Sequence, residues 1–476
     1  MTQVSRNQID ACESAMSAHA VRMSRRAWIT VYLIFLTSLM HLGAAIAANA
    51  VGSSFSALSP TVKAPFYLLP GMAILTMLGL GMPKPRHFPR VLYLLFLLST
   101  SVFVTGLMVG GVKVATGATL PLYYIGDALK YFSSWGSYLA VSASAYLLCK
   151  ADKQAAPERR LVQLCFILAA IEACAVVVLA ARLPYWQKIH LSAIPLIGFG
   201  LLYVRAGFLM RTFALLLGAS AAAWSGKRSG LATPVLASAA VFLLLVPRVV
   251  PKFATRLSIR SAHARTIAAL GAVLVMGAAI IGYMGDEQAR RFTLMYSSLS
   301  EFVVQKLSGS DVTDQSMNSR YAESGNVKKF YEGRPLHALL GGGFGVETPM
   351  YYETGVTSVS GRMHHVHAAW WVYFLRNGLL GVTVLALYFL AVSRIALAGI
   401  QRGSAASPWL LYMLIAQAVA SYKSNIMLDS IEFTIPVLLG VTLASLRRWP
   451  RHVAHRRGTG AISFADRRNV GRPSQL

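Results

Sequence analysis

Three histidines close the long polar stretch of this chain. His364, His365 and His367 stand in HHVHAAWWVYFLRNGLLG, residues 364–381, where a loop of roughly 285–366 runs into an apolar helix. A histidine at such a boundary changes charge near neutral pH and is costly there unless something uses or satisfies it. It can act as a proton acceptor, ligate a metal, or be a satisfied helix-end residue with no chemistry. No carboxylate sits at helical spacing beside the three, so no metal is expected.

Other groups suited to an anion are scattered around it. Arg320 lies mid-loop in MNSRYAES, and some twenty residues later comes LLGGGFG, 339–345. Such glycines bring backbone amides close to a phosphate or sugar, but the lysine and hydroxyl of a phosphate loop are missing, and a plain turn is the other reading. Lys227 and Arg228 occupy the tight turn SGKRSG, 225–230. Lys423 sits in a later turn, and Lys113, Asp127 and Lys130 in an earlier one. A polyanion would explain these charges; solvated loop charges or headgroup anchors would as well.

The elements that must position these groups are membrane spans. Hydrophobic residues make up 55% of the 476 and charged residues 13%, against about 25% charged in a soluble domain. Apolar runs long enough to cross a bilayer recur at about 27–50, 64–82, 90–111, 131–149, 161–182, 188–204, 207–225, 231–248, 265–284, 368–393, 408–422 and 428–447. Arg205 and Arg211 crowd the turn between the sixth and seventh. The expectation is an all-α polytopic membrane protein of about twelve transmembrane helices, with one long periplasmic loop between helices nine and ten. It divides into a cytoplasmic arm (1–26), helices one to nine (27–284), the loop (285–367), helices ten to twelve (368–447) and a basic, disordered tail (448–476). No cleavable signal peptide is expected, since residues 1–26 are polar and the first run is long enough to span.

The net charge of +27 does not point to nucleic acid. Basic residues cluster in alternate connections: before the first span, at 83–90, 150–160, 248–265 and 394–402, and after Arg447. That is the positive-inside pattern, with both termini cytoplasmic. The loop then faces outward, and its nine acidic residues against eight basic ones make it nearly neutral. Trp370, Trp371, Tyr373 and Phe374 read as an interfacial aromatic belt. Span interiors read as nearly free of charge except Glu172 and Glu432, which argues against a transport pathway. The four cysteines (Cys12, Cys149, Cys165, Cys174) avoid the loop, so neither a disulfide framework nor a zinc spacing is expected.

Taken in order, these pieces resemble the O-antigen ligase and polysaccharide polymerase superfamily. The resemblance rests on His367 followed by ten residues, Gly378, two more and Gly381; on LLGGGFG upstream; on Arg320 beside an aromatic; and on FALLLGASAAAWSGKRSGLA, 213–232, similar to a span ending in Ser-Arg-Gly. It covers roughly 205–395. Ala368 stands where the family commonly has Asn, Ser or Gln, and the Ser-Arg-Gly turn is stretched, which favours a divergent polymerase over a lipid A-core ligase. The resemblance implies glycosyl transfer from an undecaprenyl-diphosphate-linked oligosaccharide at the outer face of a bacterial inner membrane, without metal or cofactor. It assigns His367 as base and Arg228 and Arg320 as diphosphate clamps; Lys227, Lys423, His365 and Arg362 are the further substrate contacts expected at the same face. Membrane lipids and a chain-length regulator or other polysaccharide assembly proteins are the expected partners. A ligase using the same site, or a polysaccharide flippase, are the rival expectations.

Overall fold

The computed structural model describes residues 24–44, 46–47, 68–76, 89–151, 156–180, 193–224, 233–241, 315–352, 362–363, 366, 368–421 and 433–447. The elements run α1 (Ser24–Ala44), α2 (Arg90–Ala115), α3 (Pro121–Ala151), α4 (Ala156–Ala180), α5 (Ala193–Leu202), α6 (Phe208–Trp224), α7 (Gln315–Tyr331), α8 (Pro335–Leu340), β1 (Thr348–Pro349), β2 (Arg362–Met363), α9 (Ala369–Gln401), α10 (Ser407–Ser421) and α11 (Thr434–Arg447). Short helical stretches also occur at 68–76 and 233–241.

Four of these helices, α1, α2, α4 and α9, are long and apolar enough to cross a membrane. They coincide with the first, third, fifth and tenth apolar runs. Among the described residues the others are shorter or more polar; α5 is described over 10 residues. The run at 265–284 lies outside the described residues.

The apolar helices bury narrow stripes. On α2 the buried residues are Leu92, Leu95, Ser99, Val102, Gly106 and Gly110, three or four apart on one face. Leu94, Leu97, Val104, Met108 and Val112 on the other faces are exposed, as suits a helix bathed in lipid. Pro121 opens α3, where its missing N–H costs nothing. Tyr131, Trp135 and Tyr138 then line one face of α3 and pack on Tyr373 and Tyr388 of α9. The Trp135 indole donates to the Tyr373 hydroxyl at 2.6 Å, and the Tyr388 hydroxyl bonds the Tyr138 hydroxyl at 3.2 Å and Gln417 Oε1 at 3.1 Å. Tyr373 is therefore core rather than aromatic belt.

Polar contacts sort the helix ends into two groups. At one end, Arg205 donates to Glu158 at 2.6 Å, tying the α5–α6 turn to the start of α4. Arg211 donates to the carbonyls of Gly200 and Leu201 at 2.8 and 3.0 Å, capping α5. These bonds explain why two arginines crowd that turn. Arg402 donates to the Leu446 carbonyl at 2.9 Å, joining the end of α9 to that of α11, and Arg447 and Lys150 both lie over the Tyr146 ring. At the other end, the close of α2, the start of α3 and the start of α9 meet segment 330–345.

Candidate functional site

The site is built around a break in α9. Gly378 has φ 59° and ψ −153°, so the helix is interrupted there, and only glycine reaches that backbone conformation at no steric cost. The carbonyls just before the break accept from the loop: Gly342 N–H donates to Leu375 O at 2.9 Å and Gly343 N–H to Arg376 O at 2.8 Å. The next two amides find partners as well. Phe344 N–H donates to Gly106 O at 3.1 Å, and Gly345 N–H to Asp127 Oδ2 at 2.9 Å. Gly341 N–H closes α8 on His337 O at 2.7 Å.

Five successive amides of the glycine loop are thus held by protein acceptors. The loop is a docking strap, not a phosphate cradle. Gly341, Gly343 and Gly345 have φ of 83°, 79° and 74°, so the alternating glycines serve a left-handed path as well as closeness. Space for the strap comes from α2. A Cβ on Gly106 would sit 2.8 Å from the Phe344 ring, and one on Gly110 would sit 2.7 Å from Phe344 O. Phe344 is fully buried against Phe103 and Tyr131.

A buried ion pair locks the same corner. Arg376 Nη2 donates to Asp127 Oδ1 at 2.6 Å, with both side chains almost wholly enclosed. One Asp127 carboxylate oxygen holds the arginine and the other holds the loop. Asn377 Nδ2 donates to Val102 O at 3.0 Å, and the Tyr331 hydroxyl donates to Leu375 O. Burial pushes the Tyr331 hydroxyl well above its ordinary range, so it stays a donor. Arg376 lies in the tenth apolar run, so the span interiors carry more charge than Glu172 and Glu432.

From this corner the chain is led toward the histidines. Asn326 of α7 is fully buried; its Oδ1 accepts from Tyr351 and Tyr352 N–H at 2.8 and 2.7 Å, and its Nδ2 donates to Tyr352 O at 3.1 Å. β1 then pairs antiparallel with β2, Thr348 opposite Met363 and Pro349 opposite Arg362. That bridge returns the chain to Val366 and Ala368, both buried, on either side of residue 367.

Of the expected site residues, Arg320 falls within α7 and Arg362 within β2. Lys227, Arg228, His365, His367 and Lys423, with His364, lie outside the described residues. Basic groups rim the described part instead. Lys328 lies 5.5 Å over the Trp371 ring, and Lys329 lies 5.5 and 5.9 Å over Tyr351 and Tyr352. Lys113 and Arg334 both approach the Phe330 ring. Burial, then the charges of Lys113 and Arg334, hold the His337 imidazole below its ordinary pKa. Among the described residues no cluster of three metal-ligating groups occurs.

Arg376, Asn377 and Asn326 are the residues that sequence reasoning passed over; Asp127 was noted only as one charge of a connection, and lies instead within α3 as the partner of Arg376. Arg376 did carry a signal, a charge inside an apolar run, but its partner is 249 residues away. No protein-family model matches this chain, and no curated protein matches it either.

Proposed function

We propose that this protein is a membrane glycosyltransferase. It joins polyprenyl-diphosphate-linked oligosaccharide repeat units at the periplasmic face of a bacterial inner membrane, as a polypeptide of about twelve spans with both termini in the cytoplasm. The observation that carries the reading is the strap. A loop segment of a polytopic protein is fastened by four consecutive amides to α2, α3 and α9, directly before the strand pair leading to residue 367. Transfer chemistry needs reacting groups held within fractions of an ångström, and a loop pinned on two spanning helices supplies such a base. The two-ended sorting of helix contacts supports the topology, since the 150–160, 203–207 and 402 connections share one end, as alternate connections must.

The reaction follows from the donor. An acceptor hydroxyl oxygen attacks the anomeric carbon, the bond from that carbon to the diphosphate oxygen breaks, and the diphosphate leaves with the electron pair. Neutral His367 takes the hydroxyl proton. Arg228 and Arg320 neutralise the growing diphosphate charge, for which the planar guanidinium fork is suited. The anomeric centre inverts. Ala368 beside His367, and the stretched 225–230 turn, favour a polymerase over a ligase.

The test uses membranes containing the full chain and a labelled prenyl-diphosphate oligosaccharide. Wild type is expected to yield longer saccharides. His367→Ala, Arg320→Ala and Arg228→Ala are expected to lose about 10²–10⁴-fold of the rate while still inserting. Unchanged rates in all three would remove these residues from the site.

A further inference from the structure

Two basic groups from distant parts of the chain converge on one phenyl ring, with a histidine three residues on from one of them. The Lys113 ammonium, in the last turn of α2, lies 5.7 Å from the Phe330 ring centroid. The Arg334 guanidinium, just before α8, lies 5.2 Å from it. His337, one turn into α8, is close enough to both for their charges to disfavour its protonation. No carboxylate among the described residues pairs with Lys113 or Arg334. Like charges brought this near repel, and the cation–ring contacts give back only a fraction. Among the described residues the arrangement lacks an anion.

The surface beside it says what kind. Leu336, Leu339 and Leu340 of α8 are 71, 50 and 39% exposed. Their spacing puts them on one helix face. On the neighbouring α2, Met108 and Val112, one turn apart, are also exposed. The cations therefore sit at the end of a membrane-length helix, beside apolar side chains that water would not favour. A headgroup next to acyl chains fits such a surface, and a free anion does not.

We propose that Lys113, Arg334 and His337 bind the phosphate headgroup of an anionic phospholipid, whose acyl chains lie along Leu336, Leu339 and Leu340. The bound lipid bridges α2 to the loop, because Lys113 belongs to one and Arg334 to the other. It clamps the segment that carries the strap at 341–345, so loop order depends on membrane composition. The site makes no use of His367 and holds whatever reaction the protein performs.

The experiment places the full-length protein in nanodiscs of phosphatidylcholine with increasing phosphatidylglycerol. It reads the thermal unfolding midpoint and the lipids retained in native mass spectrometry. Phosphatidylglycerol is expected to raise the midpoint and remain bound to wild type. The Lys113→Gln/Arg334→Gln double variant is expected to bind it at least about tenfold more weakly, each cation near a membrane surface counting for severalfold. Lys113→Arg is expected to retain binding. The single variant Arg334→Gln changes an exposed side chain, and its own midpoint in pure phosphatidylcholine is the baseline from which its phosphatidylglycerol response is read. Leu336→Ser is expected to weaken phosphatidylglycerol but not soluble glycerol phosphate. Equal responses of wild type and both glutamine variants overturn the proposal. So does stabilisation by inorganic phosphate equal to that by lipid, or displacement of phosphatidylglycerol by a prenyl diphosphate, which would give these cations to the donor. Absence of polymer formation by wild type, with lipid binding intact, would count against the glycosyltransferase reading and leave this site standing.

Discussion

At the scale of residues, Asp127 and Arg376 set the site's geometry. A buried ion pair costs much to desolvate, so it adds little net stability, yet breaking it strands a buried charge. Asp127→Ala is expected to lower unfolding free energy by about 3–5 kcal/mol, read by thermal or denaturant melts of the reconstituted protein. The paired change Asp127→Leu with Arg376→Met should recover most of this. It should fall short by about 1–3 kcal/mol, because Gly345 N–H loses its acceptor. A single variant as stable as wild type would remove the pair from the account. His337 offers a second residue-scale check. Its pKa lies below the ordinary value because of burial, then Lys113 and Arg334, so the folded state holds a proton less readily than the unfolded chain. Stability is therefore lost as pH falls through the ordinary histidine range, where the unfolded imidazole gains its proton first. By NMR, the His337 midpoint should move upward in Lys113→Ala, which removes one repelling charge; a downward move would contradict the assigned cause.

At the scale of elements, the strap and the broken helix were only half legible. The sequence marks LLGGGFG as glycines that bring amides close to a phosphate or sugar, or as a plain turn; the amides instead dock on protein acceptors. Those acceptors were illegible, because they belong to α2, α3 and α9, whose meeting is tertiary. The four long apolar helices were legible from run length. The turn after α5 was marked in the sequence by Arg205 and Arg211, but their partners, Glu158 and two carbonyls, were not. Tyr373 shares its neighbourhood with Trp370 and Trp371 and so resembles a belt residue; its bond to Trp135 is invisible along the chain. Two glycines separate docking from mere flexibility. Gly343→Ala places a Cβ against the Gly110 backbone at φ 79°. It is expected to undock the strap, with amide exchange at 342–345 rising by at least about tenfold, the equivalent of roughly 1.4 kcal/mol. Gly126→Ala, within α3 and with open space around it, should be neutral or stabilising by about 0.5–1 kcal/mol. Equal exchange in both variants would mean the strap is not held as described.

At the scale of the whole molecule, the claim is a sided membrane enzyme. Sidedness predicts that, in a background without the native cysteines, Glu332→Cys reacts with an impermeant maleimide on intact spheroplasts and Arg159→Cys does not; the reverse pattern would invert the topology and move the site to the cytoplasm. The most direct measurement of the central claim is turnover by the purified protein. Proteoliposomes containing only this chain and a prenyl-diphosphate oligosaccharide are supplied with no metal and no other enzyme. The account predicts a ladder of saccharides lengthened by whole repeat units, with one prenyl diphosphate released for each linkage formed, and no ladder from His367→Ala. Donor that crosses the bilayer or stays intact, with no new linkage and no released diphosphate, would contradict it.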